Sequence, residues 1–236
     1  MIQYGHGSHR GHKRLHNEDT YLADPGLGLW LVADGMGGHA NGEVASALAR
    51  DEMQRAVAAG ADLETAIRQA AERISRRSRD PSQTGILPMG TTIAAVQVDE
   101  SGFNAAWVGD SRIYLWDGNG QLKQISRDHS YVEHLVQKGA LTPSQARTHP
   151  QRNVVTQALG VTDRDFLQIA GVSQSWARSM QLLICSDGLT EELDDEQIAG
   201  FFASDDGPQE TVDQLIHAAL HAGGSDNITV LVLRNS

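Results

Sequence analysis

Short apolar runs bounded by turn residues recur along the chain, and two periodicities separate them. Continuous or alternating runs predict strands over 28–33, 91–98, 103–108, 112–115, 166–170, 181–185 and 227–233. Apolar residues spaced by three and four predict helices over 42–59, 63–77, 195–202 and 209–221. The first helical segment is rich in Ala, Leu, Glu and Arg, which lose little side-chain freedom in a helix. Two long helices come together, and several strands then follow with short turns such as WDGNGQ between them. Strands clustered without intervening helices imply antiparallel pairing. The pattern therefore predicts an α+β fold, an antiparallel sheet covered by helices.

One stretch breaks the pattern. DHSYVEHLVQKGALTPSQARTHPQRN is polar, with short helical pieces at 131–137 and 143–147. Pro143 suits the first turn of the second piece, where its missing N–H costs nothing. This is expected to be a small lobe, about 131–152, inserted in a single domain spanning 1–236.

Composition narrows the partners. The 236 residues carry a formal net charge of −11, which argues against a nucleic-acid partner. The single cysteine, Cys185, lies in the apolar run MQLLICSDG, so a packed core thiol is expected rather than a nucleophile or an internal disulfide. No run approaches the roughly 18 apolar residues of a membrane span. The N-terminal MIQYGHGSHRGHKRLHNED lacks the apolar core of a signal peptide, so a cytoplasmic protein is expected; separately, a monomer is expected. Its histidines, His6, His9, His12 and His16, are mixed with glycine and read as a flexible arm.

The chemistry concentrates at strand ends. In WLVADGMGGHANGE an apolar strand ends in Asp34, followed by glycines and a histidine. AAWVGDSR ends a strand at Asp110, and LLICSDG at Asp187. Asp226 precedes the strand in GGSDNITVLVL, and Glu18 and Asp19 precede another in HNEDTYL. Each acid alone is a common turn residue; together they suggest convergence. Two carboxylates about 4 Å apart repel by roughly 4 kcal/mol at an effective dielectric of 20. Several such pairs would overwhelm a domain with about 5–15 kcal/mol of stability, so protons or bound cations must relieve them. All-oxygen ligands favour hard ions, Mg²⁺ or Mn²⁺. A bare Gly35 lets its carbonyl approach such an ion. GMGGHA also fits a dinucleotide fingerprint. Long helices follow it, however, with no second strand ending in a ribose-binding acid, and Asp34 would repel a pyrophosphate.

The motifs RLHNED, VADGMGGHANGE, GTT (90–92), GDSR (109–112), DHS (128–130), SDGL (186–189) and GGSDNITVL, in this order, resemble those of the metal-dependent protein serine/threonine phosphatases of the protein phosphatase 2C type, and DGMGGH resembles the bacterial branch. The resemblance covers nearly the whole chain. It implies two packed antiparallel β-sheets flanked on both sides by pairs of α-helices, with a flap lobe beside the site. It further implies a binuclear Mn²⁺ or Mg²⁺ centre, with a third, weaker ion in bacterial members. Asp34 would bridge the pair, with the Gly35 carbonyl on one ion and Asp187 and Asp226 on the other. Glu18 and Asp19 would support the centre, and Asp110 would share the third ion with Asp187. Arg14 would receive the phosphate, and Asn227 is a supporting neighbour. Animal members place a histidine after this Asp-Gly; here Met36 stands there and cannot donate a proton, so a metal-bound water is expected to serve as the acid, with His39 as the side-chain candidate. Implied partners are phosphorylated proteins, targets of a bacterial Ser/Thr kinase. A catalytically silent metal-binding module on the same fold is the alternative, and no replaced acid position favours it.

Overall fold

In the computed structural model, residues 2–37, 40–79, 89–99, 102–204 and 206–235 are described, residue 40 by its backbone only. In chain order the strands are β1 (Ile2–His9), β2 (Thr20–Asp24), β3 (Leu29–Ala33), β4 (Gly35–Met36), β5 (Gly90–Thr91), β6 (Ile93–Asp99), β7 (Gly102–Val108), β8 (Arg112–Trp116), β9 (Leu122–Gln124), β10 (Ala170–Gln174), β11 (Gln181–Cys185) and β12 (Ile228–Asn235). The helices are α1 (Ala40–Ala58), α2 (Leu63–Ser78), α3 (Tyr131–Gln137), α4 (Pro143–Arg147), α5 (Asp187–Thr190), α6 (Asp195–Phe202) and α7 (Pro208–Ala222).

Ten of these strands form two five-stranded antiparallel sheets, ordered β1-β12-β11-β8-β9 and β10-β7-β6-β3-β2, and β4 pairs with β5 in a separate two-stranded ribbon. Their central strands are apolar on both faces, which explains their unbroken apolar runs. In β3, Trp30 and Val32 face the opposite sheet, where they meet Ile113, Leu182, Ile184 and Leu231. Leu29, Leu31 and Ala33 alternate with them and point the other way, onto Met53, Ile67 and Ile74 of α1 and α2. The first sheet mirrors this arrangement: Leu183, Cys185, Val230 and Val232 pack on Ile198, Val212 and Leu215 of α6 and α7. The result is a four-layer sandwich with a helix pair on each side. Buried Glu52 ties α1 to α2 through Arg73, at 2.7 Å.

Two expectations fail. The N-terminal segment is no flexible arm: β1 pairs with β12 from Ile2↔Asn235 to His9↔Ile228. Its glycines serve close packing under α7. A Cβ on Gly5 would stand 2.5 Å from Gln209 backbone atoms, and one on Gly7 would stand 2.7 Å from Ile216 Cδ1. The strand expected over 166–170 is instead a 3-10 turn at Arg164–Phe166, and strand begins only at Ala170. Phe166 is 72% exposed, so its aromatic ring signalled no core position.

The polar stretch after β9 folds as α3 and α4. Ser130 caps α3, and Thr142 with Gln145 forms a capping box on α4, with Pro143 in its first turn.

Candidate metal centre

The acid-bearing strand ends gather at one edge of the sandwich. At the end of β3 the backbone turns through Asp34 into β4. Thr92 holds this turn: its N–H donates to the Asp34 carbonyl (2.8 Å) and its hydroxyl accepts from the Asp34 N–H (3.1 Å). The Thr91 hydroxyl donates to the same carbonyl (2.8 Å), and Ser111 pairs with the Thr92 hydroxyl (2.7 Å). Gly35 donates to the Glu18 carbonyl (3.2 Å), and a Cβ there would stand 2.6 Å from that oxygen. Only glycine fits this approach.

Asn227 fixes the loop that carries Glu18 and Asp19. Its Oδ1 accepts from the Glu18 N–H (2.8 Å), and its Nδ2 donates to the carbonyls of Arg10 (3.0 Å) and His16 (2.9 Å). Asp19 is buried behind this loop. Its Oδ2 accepts from the hydroxyls of Ser186 and Thr229, both at 2.7 Å. Its Oδ1 is buried and has no hydrogen-bond partner among the described residues. Such an orphan costs about 1–3 kcal/mol unless a proton or cation meets it. Asp187 opens α5, directly after Ser186, and Asp226 stands two residues before β12.

Electrostatics joins these acids into one group. Burial pushes the Asp34 carboxyl well above the usual carboxylate range, and Asp19, Asp187, Asp110 and Asp226 push it further. Asp187 is raised likewise, by burial and then by Asp110, Glu191, Asp226 and Asp19. Burial lifts Asp19 to about 6 despite its two hydroxyl donors. Burial, with Asp128 nearby, lifts Asp110 to about 7. Like charges confined at low dielectric favour the protonated forms, and a divalent cation relieves the same strain.

Arg14 reaches the group from the N-terminal loop. Its Nη2 donates to Asp226 Oδ2 at 2.6 Å, and this bond, with Asp226, Asp187 and Glu18 nearby, raises its pKa. Among the described residues no three carboxylates close into a ready-made cation cage. His39 lies outside the described residues, while Met36 sits in β4.

Sequence reasoning missed three contributors. Half-buried Glu191, one helical turn after Asp187, is raised by burial and by Asp226. Asp128 of the DHS motif holds Arg112 of the GDSR motif in a forked pair, Nε to Oδ2 at 3.0 Å and Nη2 to Oδ2 at 2.7 Å. His129 accepts the Gly109 N–H on Nδ1 at 3.3 Å, and burial lowers its pKa, which keeps that nitrogen free to accept. Beside Asp110 and Asp187 lies a cleft of about 640 Å³ lined by residues of α3, α4 and α6, with Arg147, Arg152, Glu191 and Glu196 among its charged groups.

The family model described as "Protein phosphatase 2C" matches residues 6–217. Serine/threonine protein phosphatase PstP of Mycobacterium tuberculosis is 37% identical over 239 residues, which cover 98% of this chain but 45% of that protein. The serine/threonine phosphatase stp of Listeria monocytogenes is 34% identical over 235 residues, 95% of this chain and 92% of that one. A crystal structure of the Mycobacterium tuberculosis phosphatase PstP/Ppp superposes with a TM-score of 0.88 at 34% identity, covering 99% and 98% of the two chains. A PstP catalytic domain in complex with two manganese ions gives a TM-score of 0.85 at 32% identity, covering 99% and 97%. With its motifs in order, its four-layer sandwich and its gathered acids, the chain belongs to the protein phosphatase 2C family.

Proposed function

We propose that the chain is a metal-dependent protein phosphatase that hydrolyses phosphoserine and phosphothreonine in proteins. The observation that carries this reading is one electrostatic group of buried and half-buried acids containing an unpartnered Asp19 oxygen. That donor set fits hard divalent ions, Mn²⁺ or Mg²⁺. Asp34, the Gly35 carbonyl, Asp187 and Asp226 would hold a pair of ions, Glu18 and Asp19 would support them, and Asp110 with Asp187 would hold a third. Bound ions of this kind supply a water of lowered pKa and positive charge for the phosphoryl oxygens. No cysteine or serine nucleophile is then needed, which agrees with Cys185 being buried and its thiol pushed up to about 12.

The chain's own residues do the rest. Arg14 sits on the rim of the acid group and offers a forked, permanently charged donor to a phosphate. Thr91, Thr92 and, through Thr92, Ser111 fix the Asp34 backbone, and Asn227 does the same for the Glu18–Asp19 loop. Met36 holds no proton, so the departing alkoxide takes its proton from elsewhere. Physiological substrates are proteins phosphorylated by a bacterial Ser/Thr kinase. Among the described residues no helix is long and apolar enough to cross a membrane.

Hydrolysis of p-nitrophenyl phosphate and of a phosphothreonine peptide, with Mn²⁺ and with excess EDTA, tests the reading. Turnover in Mn²⁺ and its loss in EDTA are expected. Undiminished turnover in chelator overturns the metal-dependent mechanism, and no turnover with any divalent ion favours the silent module.

Arg14→Ala is expected to lower kcat/KM by about 10- to 150-fold, the roughly 1.5–3 kcal/mol of a charge-assisted hydrogen bond. Lys13→Ala is the control. Equal rates in the two variants would reduce Arg14 to one more basic residue of the N-terminal loop.

A further inference from the structure

Both stems of the flap are bonded to one residue, His129. The chain enters the flap through Arg127, Asp128 and His129 and leaves it through Val154, Val155 and Thr156. The His129 N–H donates to the Gly109 carbonyl (2.8 Å), and the His129 carbonyl accepts from the Thr156 N–H (2.7 Å). Its ring closes the loop, because Nδ1 accepts the Gly109 N–H at 3.3 Å. Just beyond, Ser130 pairs with Val155, and the Tyr131 N–H donates to the Val154 carbonyl (2.8 Å). The outgoing stem is therefore tied to the incoming one, and the incoming one to Gly109, the residue before Asp110.

The anchor itself is stiff. Gly109 has φ +102°, a left-handed conformation that glycine alone adopts easily, and a Cβ there would stand 2.6 Å from Thr92 Cγ2. Thr92 is the residue that clamps Asp34. On the stem side, the Arg127 carbonyl accepts from Trp107 Nε1 (2.9 Å), and Asp128 grips Arg112. Flap stems, Asp110 turn and Asp34 turn thus form one contiguous hydrogen-bonded unit. Within it the His129 imidazole is the side-chain link made directly to Gly109: remove its acceptor, and the Gly109 N–H is left without that partner in a part-buried place.

We infer that His129 is a positioning residue that locks the flap stems to the Asp110 turn, so that a phosphoprotein engaging the flap sets the aim of Asp110. The bonds themselves are independent of function; the catalytic consequence rests on the phosphatase reading above.

Amide hydrogen exchange on the metal-free protein tests the lock without turnover. In His129→Leu, exchange at Gly109, Tyr131 and Thr156 should accelerate tenfold or more, while amides of β11 and β12 stay unchanged. In His129→Asn, whose side-chain oxygen replaces Nδ1 as acceptor, protection should return to within about threefold of wild type. In Mn²⁺, kcat/KM on a phosphothreonine peptide should fall tenfold or more in His129→Leu and recover in His129→Asn. Unchanged exchange at Gly109 overturns the inference. So does acceleration spread evenly over the whole chain, which marks a general folding role, or a loss of activity that His129→Asn does not rescue. A wild-type protein inactive on every phosphoester would instead overturn the phosphatase reading, with the exchange result still deciding the lock.

Discussion

Asp34→Asn should abolish turnover, by at least about a thousandfold, and leave the metal-free fold as stable as the wild type or more so. The rate loss follows from charge. Asp34 sits among Asp19, Asp187, Asp110 and Asp226, and a neutral amide bridges two cations poorly. The stability gain follows from the same neighbours. Burial and like charges raise the Asp34 carboxyl above its unfolded value, so its ionised form destabilises the folded chain near neutrality. The amide keeps the shape and removes the charge.

This logic extends to pH. A raised carboxyl pKa means that the folded chain holds its proton more tightly than the unfolded chain. Stability from that proton is complete below the unfolded pKa of about 4 and is lost as pH rises through the folded value. For Asp19 and Asp110 the folded values are about 6 and about 7. The melting temperature of metal-free protein should therefore decline from about pH 4 to about pH 7 relative to the Mn²⁺-loaded protein, and decline less in Asp34→Asn. Thermal melts at several pH values, with and without Mn²⁺, alongside rates on a phosphopeptide, check both halves. Near-normal turnover in Asp34→Asn would remove this residue from the centre.

The sequence made the central strands and the acids at their ends legible because both carry strong local signals. A strand apolar on both faces, such as Leu29–Ala33, gives an unbroken run, and a carboxylate terminating it is conspicuous. β1 was illegible because its two faces carry little apolar side chain: Gly5 and Gly7 bury backbone against α7, and on the other face only Ile2 and Tyr4 pack toward the core between the sheets, too short an alternation to read as a strand. β10 is a polar edge strand paired only with β7, and the exposed aromatic at Phe166 drew the reading to the wrong side of it. At the site, the acids themselves could be named, but the groups that aim them could not. Ser186 and Thr229 meet on Asp19 from positions 43 residues apart. Thr92 and Ser111 meet over Asp34 across two strand ends. Hydroxyls such as these carry no spacing rule, because tertiary packing alone brings them together. His129 and Asp128 left a trace as the motif DHS, although its role emerges only from the fold.

Asp110 should behave differently from Asp34. It lies on the cleft side of the group, next to Asp187 and in reach of Asp128 and Glu191, and Arg112 partly offsets its charge. On the proposed assignment, a cation held there would have fewer protein ligands than one at Asp34, and so would bind more weakly and exchange more readily. Asp110→Ala should accordingly keep about two tightly bound Mn²⁺ while losing most of its activity. The loss should depend on the leaving group. A serine or threonine alkoxide must be protonated as it departs, Met36 has no proton to give, and the Asp110 corner is where a water bearing that proton would be held. Nitrophenolate leaves with little protonation, so p-nitrophenyl phosphate should suffer less than a phosphopeptide. Calorimetric metal counting on the variant, with rates on both substrates, decides the assignment. Loss of a tight ion would place Asp110 in the main pair, and equal losses on the two substrates would separate it from the proton transfer.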